Sequence, residues 1–419
     1  MRQKIIFISL LIMILTFNCS TTDPEISENK VALKEIDVAV SEVYLKIEVE
    51  KANPNQVVIL KRNGETVLSY TANITDTVLA DTGLIAGSNY SYQAEIKEES
   101  KLAAESQKLS IQTLQPTSHE FSWEVIKLGD PSTSELWDVA IIDENNIWAV
   151  GDIKIVDTSE RGYTNYNAVH WDGNEWVLKK ILYKSSIWEI KTLLGFSEND
   201  IWFSAFVRYD GKNFIDLQIP DILIGWGVNK IWGNSSENLY VVGNNGNIVQ
   251  YDGTNWQKLE SGTEGNITSV WGITEEESGD EYLYYTIPSE KKLLRIKNKQ
   301  EIENTGWNEN KTIADVWGAR NELLYGAGED GVYRKLGNKW EVLDIGSQHF
   351  FVSIGGQGLN DLIFCGISGG VSHYNGISWK EYPELQSPSL SLRQAAIKDN
   401  TVVMVGIDSS YAVIIIGKR

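Results

Sequence analysis

Ile231-Trp232-Gly233, then Asn238-Leu239-Tyr240-Val241-Val242-Gly243, then Ile248-Val249-Gln250-Tyr251-Asp252-Gly253-Thr254-Asn255-Trp256 follow one another between positions 231 and 256. The stretch reads as three β-segments and the start of a fourth. A first strand ends in Trp-Gly, an apolar strand covers 239–242, a third covers 248–251, and a last one opens at Trp256. Between them, Asn245-Gly246 and Asp252-Gly253 supply residues that accept positive φ at little cost, as tight hairpins between antiparallel strands require.

Copies of this unit recur at roughly 40-residue spacing. Trp-Gly returns in Val270-Trp271-Gly272 and Val316-Trp317-Gly318, and more loosely in Trp137-Asp138, Trp188-Glu189 and Ile354-Gly355. The turn with its aromatic returns in Trp171-Asp172-Gly173-Asn174-Glu175-Trp176, Tyr209-Asp210-Gly211-Lys212-Asn213-Phe214 and Tyr374-Asn375-Gly376-Ile377-Ser378-Trp379, and in degenerate form at 336–340. Four short antiparallel strands repeated many times predict a β-propeller. The last copy, 395–419, offers three strands, whereas Phe121-Ser122-Trp123-Glu124-Val125-Ile126 is an orphan fourth strand. Lending that orphan to the last copy closes the ring and removes exposed sheet edges, giving about seven blades with a split-blade closure.

Upstream, Arg2 and Lys4 precede an apolar run over 5–17 that is too short to span a bilayer and fits an export signal. Leu15-Thr16-Phe17-Asn18-Cys19 resembles a bacterial lipoprotein cleavage box, and 19–29 reads as a polar tether behind it. By that resemblance residues 1–18 are the signal peptide and Cys19 carries lipid. Two or more acyl chains there give a lasting anchor to the cell envelope, the outer membrane in particular. Loss of 1–18 changes the formal charge from 37 − 57 = −20 to 35 − 57 = −22, which excludes nucleic acid as a partner. Cys365, in the apolar segment Leu362-Ile363-Phe364-Cys365, reads as a buried small hydrophobe, so no disulfide or cysteine metal site is expected.

Residues 30–115 change to period-two alternation: Val43, Leu45, Ile47 and Val49 on one face, Tyr90, Tyr92, Ala94 and Ile96 on another, with an apolar strand at 57–60. That pattern predicts a small β-sandwich. The segment Asp81-Thr82-Gly83-Leu84 through Ser88-Asn89-Tyr90-Ser91-Tyr92 resembles the fibronectin type III pattern before its sixth strand. The resemblance makes Tyr90 the corner tyrosine, tied through its hydroxyl to backbone. The core Trp of that family is absent, leaving Leu45 or Ile47 to fill its space. Pro116-Thr117-Ser118 reads as a linker. Residues 119–419 as a whole resemble propeller lipoproteins of bacterial envelopes, a likeness that concerns architecture.

Thirteen of the fifteen Trp fall at repeat positions and read as packing between sheets. Trp226 and Trp307 do not; both sit in connections from a fourth strand to the next first strand. Those connections and the loops between second and third strands share one propeller face. On it fall also the insertion 152–165, with Arg161 and Tyr163, and the turns bearing Asn245 and Asp330. Loops carry function on rigid scaffolds. Trp226, Trp307, Arg161, Tyr163, Asn245 and Asp330 are therefore the expected ligand-binding surface. No two of His119, His170, His349 and His373 have metal-ligand spacing, no nucleophile elbow or phosphate loop occurs, and the acidic run at 275–281 lacks calcium-loop spacing and reads as a solvated loop on the opposite face. The sequence thus predicts a monomeric, lipid-anchored binding or scaffolding protein without cofactor or metal, its ligand a protein or a glycan. A propeller enzyme acting on glycans, its carboxylates assembled across blades, is the alternative.

Overall fold

A computed structural model describes residues 29–72, 76–130, 133–204, 206–218, 221–308 and 310–419; the expected signal segment, 1–18, and the expected lipid site, Cys19, lie outside them. The described chain is all-β apart from three short 3-10 turns. Two sheets come first. Strands Lys30–Val38, Glu42–Glu50 and Asp76–Thr82 form one; Glu65–Thr71, Gln56–Arg62, Asn89–Glu98, Lys101–Glu105 and Leu109–Gln112 form the other. The alternating residues close a common core in which Val43, Leu45, Ile47, Val58, Leu60, Tyr92, Ala94 and Ile96 are all wholly buried. The Tyr90 hydroxyl accepts the Ile85 N–H at 2.9 Å, tying the turn to backbone.

Seven four-stranded antiparallel sheets follow among the described residues, sheet I at 135–179, II at 193–216, III at 228–259, IV at 269–304, V at 313–343, VI at 351–381 and VII at 390–418. Sheet VII takes its fourth strand from Ser122–Leu128, which pairs with Tyr411–Lys418 from Ser122 opposite Lys418 to Leu128 opposite Ala412. First strands touch first strands in the order I to VII and back to I, so the sheets form a closed cycle. Because strands alternate in direction, the loops between strands one and two and between three and four share one face, called here the hairpin face. The two-to-three loops and the sheet-to-sheet connections share the other, the connection face.

The repeat has two local causes. Asp252 Oδ1 accepts the N–H groups of Thr254 and Asn255 at 2.9 and 2.6 Å while Gly253 takes φ 89°; Asp172, Asp210 and Asn375 do the same beside Gly173, Gly211 and Gly376. Such side-chain capping of a turn needs Asp or Asn followed by a residue tolerant of positive φ. The Trp-Gly pair works between sheets instead. Trp232 of sheet III lies over Gly272 of sheet IV, where a Cβ would stand 2.1 Å from the ring, and Trp317 of sheet V lies over Gly356 of sheet VI at 2.7 Å. Trp271 completes the series by donating its indole N–H to the Gly318 carbonyl at 2.9 Å.

Pairing registers correct three of the loose copies. Ala140-Ile141, Leu194-Gly195 and Gly355-Gly356 occupy the Trp-Gly positions of sheets I, II and VI. Trp137, Trp188 and Ile354 are therefore not members of the motif. The same alignment places one polar residue at an equivalent innermost position of every sheet: Asp138, Thr192, Lys230, Ser269, Asp315, Ser353 and Gln394. They bond around the ring. Asp138 accepts from the Thr192 hydroxyl at 2.6 Å and the Leu193 N–H at 3.2 Å, Thr192 from the Ile231 N–H, Asp315 from Ser269 and the Ile354 N–H, and Ser353 from the Ala395 N–H. Lys230 reaches past sheet II and donates to both Asp138 oxygens and to Gln394 Oε1, each at 3.0 Å, crossing the central channel.

The sandwich is fixed to the hairpin face. Ile36, Ala39 and Tyr44 share one buried cluster with Leu323, Tyr325, Leu359 and Tyr374 of sheets V and VI. Arg334 pairs with Glu42 at 3.0 Å, and Arg320 donates to the Ile36 carbonyl. Lys34 pairs with Glu277 at 2.8 Å, so the acidic run at 275–281 lies on the expected face but is docked on the sandwich through Glu277.

Replacing Gly272 by Ala pushes a methyl into the Trp232 ring and will cost about 1–3 kcal/mol of unfolding free energy, the range for overpacking. A denaturant series checks this, and adding Trp232→Leu to Gly272→Ala should return part of the loss as a coupling energy.

Candidate functional site

On the connection face, sheets I to III surround a cleft of about 490 Å³ lined by Trp188, Glu189, Lys191, Ser204, Phe206, Trp226, Gly227 and Val228. Its walls come from the three loop types that the topology gathers here: the stretch before sheet II, the two-to-three loop of sheet II, and the connection into sheet III. Trp188 is 48% exposed and Trp226 half-buried, the latter packed against the cluster of Leu223, Ile231, Val241 and Val249. Phe206 holds φ 58°, a left-handed conformation costing a bulky residue about 1–2 kcal/mol. Its N–H and carbonyl are both engaged, with the Phe203 carbonyl and the Leu217 N–H, so the strain is maintained by the fold.

Trp188 is held out by a small hairpin, Leu182-Tyr183 paired with Ser186-Ile187 through a turn in which Lys184 and Ser185 both have positive φ. Asn167, buried in sheet I, clasps the hairpin at its base. Its amide donates to the carbonyls of Ile181 and Trp188 at 2.8 Å each and accepts the Ile181 N–H at 2.8 Å. Tyr183 then packs edge-on against Trp188, with ring centres 5.4 Å apart. Leu182 and Ile187 of this hairpin and Ile224 of the connection into sheet III are exposed, Ile224 to 66%. Towards the channel the surface continues through Trp137, whose ring lies between the Arg393 guanidinium, 5.2 Å from its centre, and the Lys191 ammonium at 5.7 Å. Arg393 and Trp137 occupy the same β-bulge position in sheets VII and I, and Lys191 stands just before the innermost residue of sheet II.

Of the six residues expected here, Trp226 is at the cleft. Trp307 is not: at 7% exposure it belongs to the core between sheets IV and V, edge-on to Tyr333 and Trp340 at 4.8 and 5.2 Å, with its indole N–H on the Lys311 carbonyl. The connection that carries it folds inward and adds one more ring to the aromatic packing of Tyr284, Tyr333 and Trp340 between these sheets. The remaining four lie apart. Arg161 is exposed at the tip of the extended sheet I hairpin and Tyr163 begins its return strand, 5.9 Å beneath Lys154. Asn245 caps a turn of sheet III by donating its N–H to Asn266, and Asp330 of sheet V pairs with Lys311 at 2.7 Å. Sequence reading passed over Trp137 and Trp188 because it had aligned them with Trp-Gly; the preceding Ser185-Ser186 and the absent glycine were the available warning.

A second constellation pins the linker. Asp361, 1% exposed, accepts from Arg419 at 2.8 and 2.6 Å and bonds His373 Nε2 at 2.8 Å. His373 Nδ1 meets His119 Nδ1 at 2.7 Å, and His119 Nε2 meets Ser378 Oγ at 3.0 Å. An arrangement with both rings neutral fits these contacts, with Ser378 donating to His119, His119 to His373 and His373 to Asp361. Burial, then the neighbouring His373, moves His119 from 6.5 down to about 4. Burial likewise lowers His373, against the opposing pull of Asp361. Burial would raise Asp361, but the hydrogen bonds from His373 and Arg419 outweigh it and hold the carboxyl well below the usual range. No cluster of three or more His, Cys, Asp or Glu fit to hold a metal occurs among the described residues.

The fold and its faces define a β-propeller, and solved structures agree. A YCF48 structure bound to a D1 peptide is 15% identical, covers 73% of this chain and 97% of its own, and superposes with a TM-score of 0.54. The WD40 β-propeller domain of Doa1 is 13% identical over 71% of this chain and 97% of its own, with a TM-score of 0.50. No family model matches the chain, and no curated protein matches it in sequence.

Burial favours the neutral form of both histidines in the folded state, which favours unfolding once the unfolded chain can protonate them. Because the folded value of His119 lies below its ordinary one, stability falls as pH drops from about 6.5 towards 4, while the part due to Asp361 is lost only at still lower pH. Denaturation midpoints recorded from pH 7 to pH 4 should show this slope, and His119→Gln should flatten it.

Proposed function

We propose that the chain is a lipid-anchored bacterial envelope protein that binds a protein partner on the connection face of a seven-bladed propeller, with a fibronectin type III-like sandwich as its stalk. The single observation that carries this reading is the cleft between Trp188 and Trp226, open to solvent on a face that no other part of the described chain covers. Aromatic anchors in a pocket, flanked by aliphatic residues, are the usual energetic centre of a protein interface. Leu182, Ile187 and Ile224 favour protein over glycan, since a hydroxyl-rich chain gains little from exposed aliphatic side chains. The YCF48 structure, with its bound peptide, is consistent with a propeller used in this way.

The sandwich supports the anchoring geometry. Its first strand meets the propeller at Lys34 and Ile36, and Lys30 lies four residues before Lys34, roughly 13 Å along an extended strand. A lipid on Cys19 would thus place the hairpin face towards the membrane and the connection face away from it. Non-catalytic use is supported at the one place where a serine meets a histidine chain. The backbone N–H groups of Ile377 and Ser378 are both taken by Asn375 Oδ1, leaving neither to stabilise an oxyanion, and Arg419 neutralises Asp361.

Cross-linking and affinity capture in the native envelope test the reading. Trp188→Ala and Trp226→Ala should keep the wild-type thermal midpoint within a few degrees and lose the captured partner; unchanged capture by both overturns the site. Separately, Cys19→Ala should shift the protein from the membrane pellet to the soluble fraction, and membrane retention would overturn the anchor.

A further inference from the structure

The chain carries twenty more acidic than basic residues, yet the surface around the cleft is studded with cations seated on aromatic rings. Lys191 and Arg393 flank Trp137, Lys258 lies 5.9 Å over Trp226, Lys184 lies 5.1 Å over Tyr183, and Lys180 lies 5.1 Å over Tyr166. A cation on a π-face is attracted by the ring quadrupole but keeps its net charge, so its outer side still draws an anion. Nearby carboxylates compensate only in part. Glu189 stands 3.9 Å from Lys191 with both side chains about half exposed, Glu135 engages Arg393 at 2.7 Å, and Asp216 is occupied by the backbone N–H of Lys184.

We infer that the partner presents an extended acidic peptide with one bulky apolar side chain. That side chain enters between Trp188 and Trp226, and the carboxylates beside it meet Lys191 and Arg393 at the channel mouth. The inference rests on the protein-binding reading above and adds its chemistry. Three features of the surface select this occupant. The cleft has room for a single large side chain and sits within the usual range of ligand-pocket volumes, about 300–1,000 Å³. The same loops expose Leu182, Ile187 and Ile224, aliphatic side chains that suit a peptide. The ring-seated cations are the complement of carboxylates, and such complementarity sets partner choice and association rate.

The test selects a displayed random peptide library on the intact folded chain, with the Trp188→Ala/Trp226→Ala variant for counter-selection. The expected hits pair Trp, Phe or Leu with neighbouring Asp or Glu. A synthetic hit should bind about tenfold more weakly to Lys191→Gln/Arg393→Gln, and again when its own carboxylates are amidated. Its affinity should also fall as salt rises from about 50 to about 500 mM. Hits that need the two tryptophans but ignore all three charge manipulations overturn the acidic chemistry while leaving the binding site standing. Recovery of no peptide that distinguishes wild type from the tryptophan variant overturns the binding reading itself. Retention of an acidic oligosaccharide such as oligogalacturonate, lost in the tryptophan variant and unmatched by any peptide, makes the partner a glycan and overturns the inference.

Discussion

Closing seven twisted sheets into a ring leaves the innermost strands crowded around an axis where water is scarce and every polar group needs a partner. The side chains of Asp138, Thr192, Asp315 and Ser353 answer that need by each accepting a backbone N–H from the next sheet, so the ring is bonded from sheet to sheet as well as packed. Lys230 is the exception that ties the circle across its middle. A lysine ammonium has donors only, and the two oxygens of Asp138 together with Gln394 Oε1 supply acceptors from sheets I and VII. Losing one member of such a buried pair costs far more than the pair contributes, which makes the positions mutually dependent. The channel is therefore closed by a side chain, and the surface available for recognition is displaced outward to the loops.

Legibility in the sequence followed the locality of the physics. The Asp-Gly and Asn-Gly turns could be read because a side chain capping its own turn leaves a fixed short signature, and the closing strand because Trp123-Glu124-Val125 repeats Trp340-Glu341-Val342 in kind. Trp-Gly could be read wherever both halves survived. In sheets II and VI only the glycine survives and in sheet I neither half does, so the nearest tryptophan or glycine stands in for it. That substitution hid Trp137 and Trp188, while Trp307, lacking a repeat position, looked free although the core had recruited it. The polar belt and the His119–His373 contact were out of reach altogether. The two histidines stand 254 residues apart, and nothing in the spacing of either hints at the other.

The two faces of the propeller have been given different tasks by their loops. Short, capped turns at 337, 360 and 376 let the sandwich approach closely: Gly376 leaves room only for Val40, with a hypothetical Cβ 2.3 Å from that side chain, and Gly337 lies against Val78. Longer, strained loops mark the opposite face. Phe206, Lys184 and Ser185 all occupy left-handed backbone; the clasp of Asn167 holds the hairpin bearing Lys184 and Ser185, and backbone bonds with Phe203 and Leu217 hold Phe206. Left-handed backbone also occurs on the docked side, at Asn298, Lys299 and Asp399, but there it is confined to tight two-strand turns.

The borrowed strand also has a mechanical meaning. Any pull transmitted along the linker reaches Ser122–Leu128 in the direction of its own axis, so seven paired positions against Ala412 to Lys418 are strained together and none can peel away singly. Ahead of them stand Thr117 on the Asn360 carbonyl, Asn375 on the Thr117 carbonyl and Arg419 on the Ser118 carbonyl, which share the load before it reaches the strand. The ring's seam, which in an open sheet would be its weakest edge, is loaded in shear.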